Sequence, residues 1–359
     1  MAKDKIAIAC QGGGSQTAFS AGVLISLLKH KIYEKKEIVS LSGTSGGAVC
    51  ATLTWFALLK WAKGDKGPPS RSLEAFWKDN ATENLLEQFL NASLIDYIQL
   101  ADNGLLPVLK SSPYTPWRLA LSATMQLFLP QFYDFKGLLQ KHIDFDGLKR
   151  LLEPSASPVL ILGAADVKTG GFKKFNSREG EINMDALLAS AAAPSLTKAV
   201  ESAAGTFWDG QFSDNPPTDE LIDDDLVGKE RIPDQLWVVQ INPTQRDRIP
   251  QTSEEIIDRR NEMIGNASLF QDLQHICRVN KWVARGAFTE EYRKQHNLKV
   301  IDIFIIQMAD AIQKRLNYAS KLDRNKDYIQ ELITHGEEKG RQFLEDPESM
   351  RFKPPYACD

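Results

Sequence analysis

Residues 5–31 read KIAIACQGGGSQTAFSAGVLISLLKHK. A short apolar run, Lys5 to Cys10, stops at the polar Gln11 and three successive glycines, and a helical spacing of Phe19, Val23, Leu24, Leu27 and Leu28 follows. Strand, glycine loop and helix in that order open a βα unit. Glycine lacks a Cβ, so its amide can turn inward in backbone conformations that other residues avoid. The start of the next helix adds the positive end of its dipole, and together these predict a loop that faces an anion. A dinucleotide loop would need G-x-G-x-x-G, but the sixth position counted from Gly12 is Thr17, and no G-x-x-x-x-G-K-[ST] occurs. Nucleotide phosphate is therefore disfavoured as that anion.

Outward from this stretch the alternation continues. EIVSLS at 37–42 predicts a second strand, and 46–62 predicts a second helix closed by Gly64. A β-α-β-α opening implies a parallel sheet. GDKGPPS at 64–70 is Gly/Pro punctuation, after which the periods are mostly helical as far as 157. Strands resume at PVLILGAADV (158–167), which Gly170-Gly171 joins to FKKFNS as a hairpin. MDALLASAAAP predicts a helix ended by Pro194. LWVVQINP (236–243) and KVIDIFIIQM (299–308) predict further buried strands, 309–346 reads as charged helix, and DELIDDDLVGKE (219–230) reads as a solvated acidic loop. The expectation is a three-layer α/β/α fold with a mostly parallel central sheet. Its core spans 5–245, with 65–157 as a mostly helical insertion, and 246–359 adds a strand and helices packed on that core.

Composition narrows the function. A net charge of −4 over 359 residues offers no basic surface for nucleic acid. The four cysteines form neither a CxxC pair nor a Cys/His cluster, so reduced thiols are expected, with no metal and no cofactor. No stretch of 18 apolar residues predicts a membrane span, and the five-residue apolar run near the start is too short for a secretory signal. A cytoplasmic location is expected.

GTSGG, Gly43 to Gly47, falls where a strand ends and a helix begins. That is the G-x-S-x-G arrangement, in which a sharp turn holds the serine in a strained conformation and small neighbours leave its hydroxyl exposed. Ser45 is the candidate nucleophile, with Gly43 and Gly47 forming the elbow. Attack on an ester creates an oxyanion, and fixed N–H donors stabilise it by about 3–4 kcal/mol each; Gly12, Gly13, Gly14 and the Gly46 amide are the candidate donors. The base is less evident. None of His30, His142, His275, His296 and His335 lies in a loop after a strand near glycines, whereas FWDGQFSDNPP (207–217) sets Asp209 at a strand end among turn residues.

In that order, GGGSQTAFSAGVL, GTSGG and DGQ resemble the oxyanion loop, nucleophile elbow and aspartate motif of the patatin-like phospholipase family. SAAAP (190–194) and AADVKTGGFKKF are similar to its small-residue helix end and central hairpin, and the resemblance covers 5 to about 245. LDRNKDYIQELITHGEEKGRQFL resembles the C-terminal helix of bacterial members. The resemblance implies a phospholipase A-type serine lipid acyl hydrolase working through a Ser45–Asp209 dyad and an acyl-enzyme, with a phospholipid substrate and peripheral contact with membrane. Two positions depart from the pattern: Gln16 stands where a basic residue is usual, and Gln211 stands where Gly or Ala is usual. An α/β-hydrolase with a Ser–Asp–His triad based on His275, His296 or His335 is the alternative enzyme. A non-catalytic lipid-binding module with a vestigial site is the alternative without chemistry. The apolar, aromatic stretch at 105–135 reads either as the core of a helical subdomain or as an acyl groove or membrane-facing surface.

Overall fold

The computed structural model describes residues 3–102, 105–106, 112–128, 134–153, 156–194 and 196–354. Strand β1 (Lys5–Cys10) leads through a 3-10 turn at Gly14–Thr17 into helix α1 (Ala18–Lys29). Strand β2 (Glu37–Gly43) leads into α2 (Gly46–Ala62). The insertion contributes α3 (Ser70–Asn80), α4 (Leu85–Asp102), α5 (Pro116–Phe128) and α6 (Phe135–His142). After it come β3 (Val159–Asp166), β4 (Phe172–Asn176), α7 (Met184–Ser190), β5 (Val200–Ser202) and β6 (Gly205–Asp209). The remainder supplies β7 (Gln235–Gln240), the long α8 (Ser253–Ala284), β8 (Asp302–Gln307), α9 (Tyr318–Leu322) and α10 (Lys326–Glu345).

One sheet runs β5-β6-β3-β2-β1-β7-β8, with β4 also paired to β3. The pairs β3/β2, β2/β1, β1/β7 and β7/β8 are parallel, while β3/β4, β3/β6 and β5/β6 are antiparallel. The central strands β1, β3 and β7 are mostly apolar because both faces are covered. Alternation divides their side chains between two cores. Ile6, Ile8, Cys10, Leu41, Leu160, Leu162 and Trp237 pack with α1 and α2, while Ala7, Ala9, Val159, Ile161, Leu236 and Val238 pack with Leu269, Leu273 and Ile276 of α8. That makes three layers, helix on sheet on helix.

One expectation is sharpened and one needs correction. The charged tail packs on the core more closely than its composition suggests: α10 crosses α1 at backbone contact, since an ideal Cβ on Gly22 would lie 2.1 Å from the Ile333 carbonyl oxygen and one on Gly336 would lie 2.2 Å from that of Phe19. The stretch 219–230 is not simply a solvated loop. It forms 3-10 and α-helical turns (Asp219–Leu221, Asp224–Val227) anchored by buried Leu221 and Val227, with Glu220 paired to Lys174. Its apolar residues decide its placement against the second core, and its carboxylates follow. Of the 105–135 stretch, 107–111 and 129–133 lie outside the described residues.

Candidate active site

The parallel strands β1 and β2 end side by side, Cys10 opposite Gly43. Their following loops therefore meet at one edge of the sheet, where ligands of open α/β sheets bind. Ser45 occupies the turn between β2 and α2 at φ 56°, ψ −129°. A positive φ at a non-glycine residue stores strain that only a well-determined surrounding maintains. The turn is that tight because Gly47 comes within contact of β1: a Cβ there would sit 2.2 Å from the Cys10 carbonyl oxygen. The glycine loop lies directly on the serine, since a Cβ at Gly12 would fall 2.8 Å from that of Ser45.

Asp209 reaches the same place from β6, whose antiparallel pairing sets it opposite Ala164 of β3. It is 2% exposed. Burial pushes its carboxyl up from 3.8 to about 6, against the opposing pull of two donors, the Ser45 hydroxyl and the Gln211 N–H. The SAAAP segment links the two residues: the Ser45 N–H is shared between the Ser190 carbonyl at 3.1 Å and the Ser190 hydroxyl at 3.2 Å, and the Asp209 N–H donates to the Ala192 carbonyl at 2.9 Å.

Behind Asp209, β2 and the residue that follows it carry a row of wholly buried hydroxyls. Ser40, Ser42 and Thr44 donate to the carbonyls of Leu221, Pro217 and Asp214. A loop packed inside a protein needs partners for its carbonyls, and these hydroxyls supply them, so the loop after Asp209 is stitched to the strand that carries Ser45.

Of the candidate oxyanion donors, the Gly12 N–H is already engaged, donating to Asn215 Oδ1 at 2.7 Å. The Gly13, Gly14 and Gly46 amides have no protein acceptor among the described residues. The helices that begin at Ala18 and Gly46 direct their positive ends to this region. Gln16 does not face the open: it is 1% exposed, and its Nε2 donates to Ser320 Oγ at 2.8 Å and the Asn317 carbonyl at 3.2 Å, at the start of α9.

The sequence pattern of the patatin-like phospholipase family matches residues 8–222. The chain belongs to that family. Its members are lipid acyl hydrolases, which sets the general class of chemistry for this patatin-like chain. No curated protein sequence matches it. Among solved structures it is similar to VipD from Legionella pneumophila (12% identity, TM-score 0.40), covering 97% of this chain and 67% of that one. It is also similar to a chain of the heterodimeric complex ExoU–SpcU from the type III secretion system of Pseudomonas aeruginosa (16% identity, TM-score 0.32), covering 95% of this chain and 52% of that one. This patatin-like chain thus spans about half the length of the latter.

Four of the five histidines have partners elsewhere. His296 pairs with Asp224 at 3.0 Å, His335 accepts the Ala309 N–H at 3.1 Å, and His142 pairs with Asp79 at 2.9 Å. His30 contacts the Ser26 carbonyl at 2.8 Å. No imidazole acts on the Asp209 carboxyl. Among the described residues the carboxylates clustered closely enough for a cation are Asp223, Asp224 and Asp225, which start a one-turn helix of this patatin-like chain. No helix of the described residues is long and apolar enough to cross a membrane. Sequence reading missed Ser190, Asn215 and the buried hydroxyls of β2. Only the last had a usable signal, in polar residues at every second position of an otherwise apolar strand.

Proposed function

We propose that this protein is a serine lipid acyl hydrolase of phospholipase A type. In this reading Ser45 is the nucleophile and Asp209 the base. The observation that carries it is the pairing of a strained, elbow-held serine with a buried carboxyl that titrates at about 6 instead of near 4. A base poised near the working pH combines the right protonation state with adequate driving force.

Asp209 takes the Ser45 proton as the oxygen attacks the acyl carbonyl. Negative charge builds on the carbonyl oxygen, where the Gly13, Gly14 and Gly46 amides receive it. Collapse breaks the ester C–O bond, and protonated Asp209 returns its proton to the departing lysolipid alcohol. Water then attacks the acyl-Ser45 ester under the same base and releases the fatty acid. No step needs a metal. The engagement of His296 and His335 elsewhere, and an Asp209 carboxyl on which no imidazole acts, favour this dyad over a Ser–Asp–His triad, and the free Gly13 and Gly14 amides favour an enzyme over a vestigial site.

A serine-directed fluorophosphonate tests the assignment. Labelling and ester turnover should both vanish in Ser45→Ala, turnover falling by at least about 10⁴-fold. Alanine at His275, His296 or His335 should leave more than about a tenth of the activity. One of these variants as inactive as Ser45→Ala would move the protein to the triad class.

A further inference from the structure

Three successive glycines are the least self-determined backbone a chain can build, because each has access to both signs of φ. Amide donors stabilise an oxyanion only if their direction is fixed before the charge appears. Something outside the loop must therefore aim it. Ile241 and Lys321 pack against Gly13 and Gly14, and the side chain that hydrogen-bonds a glycine amide is Asn215, six residues after Asp209, which is 1% exposed and accepts the Gly12 N–H on Oδ1 at 2.7 Å.

Asn215 is itself held from several sides. Its carbonyl accepts from Gln11 Nε2 at 3.2 Å, its N–H donates to Ser268 Oγ at 3.3 Å, and its Nδ2 packs on Gly265 of α8. Gln11 is wholly buried: its Oε1 accepts the Ile241 and Asn242 N–H groups at 2.9 and 2.7 Å, and its Nε2 also reaches Asn266 Oδ1 at 2.9 Å. This buried amide network joins the ends of β1 and β7, helix α8 and the loop that follows the base. Satisfied networks of this kind fix one geometry because leaving any member unpaired is costly.

We infer that Asn215 is a positioning residue for the reaction: by capturing the Gly12 N–H it removes the first glycine from the donor set and turns the next two amides toward the oxygen. The inference rests on the Ser45 reading above. A neutral amide suits the task, since it accepts the N–H without placing a negative charge beside the developing oxyanion. It also couples the loop that carries the donors to the loop that carries the base.

The test measures Asn215→Ala on a soluble short-chain ester and with the fluorophosphonate. The expected result is kcat lower by about 10- to 100-fold, the scale of a small misplacement of reacting groups, with KM within about twofold. Phosphonylation of Ser45 should slow by the same factor, because it too places charge in the donor site, and the acid limb near pH 6 should not move. A folded variant with kcat and labelling within twofold of wild type overturns the inference, as does a rise in KM at unchanged kcat. A second measurement needs no variant. In a crystal structure of the phosphonylated wild type, the phosphoryl oxygen should accept from Gly13 and Gly14 while Gly12 stays on Asn215; a phosphoryl oxygen on the Gly12 N–H overturns the inference. Ser45→Ala run in parallel separates the two questions. Labelling that survives there removes the nucleophile assignment, whereas labelling lost there beside an unimpaired Asn215→Ala removes the role of Asn215 alone.

Discussion

Asp209 gains its basicity at the expense of stability. A carboxyl whose folded pKa is about 6, against about 3.9 in the unfolded chain, binds its proton more tightly when folded. Its contribution to stability is fully present below about pH 4, fades as pH rises, and is lost above about pH 6. At neutral pH the ionised form costs roughly 3 kcal/mol. Two outcomes follow at this residue. The dependence of kcat/KM on pH should rise through a single ionisation near 6 and then level off, and a profile controlled near 4 would contradict the burial of this group. Asp209→Asn should lose turnover yet unfold at a higher temperature than wild type, with a gap in Tm that widens between pH 5 and pH 8. Calorimetry at those two pH values checks the sign, and a gap that shrinks with pH would contradict it.

At the scale of elements, α1 crosses α10 at backbone contact, carbonyl against glycine in both directions. Gly336→Val should cost about 1–3 kcal/mol through forced separation of the helices, read as a fall in Tm. Turnover should fall too, because α1 begins one residue after the glycine-loop turn ends. Helix α5 has the opposite character. Trp117 is 54% and Leu121 46% exposed, and the helix carries no acidic residue. Replacing both with Ser should weaken binding to phospholipid vesicles in a sedimentation assay while hydrolysis of a soluble ester stays within about twofold; equal loss of both would assign the pair to packing. The strand-turn-helix units around Gly12 and Ser45 are legible in the sequence because every signal they need lies within a few residues. Asn215 is not, because an amide acceptor has no characteristic spacing and its donor is 203 residues away. The 219–230 stretch misleads because its carboxylates outnumber Leu221 and Val227, which fix its place.

For the whole molecule, the order of the sheet matters more than its content. The family pattern ends at residue 222, yet β1 is flanked on one side by β7, and the network around Gln11 draws on Ile241, Asn242, Gly265 and Asn266. Length and alternation predict the layers; which late strand inserts beside the first is a long-range choice that no local pattern announces. This topology bears on synthesis. While the ribosome is still making the middle of the chain, β1 has an open edge, α1 lacks the helix that crosses it, and Gln16 lacks Asn317 and Ser320. A nascent chain that carries Ser45, Asp209 and Asn215 still lacks Ile241, Asn242 and Asn266, which hold Gln11 beside Asn215. On this reading a fragment that stops before β7 should neither react with the fluorophosphonate nor turn over ester, although it holds both Ser45 and Asp209.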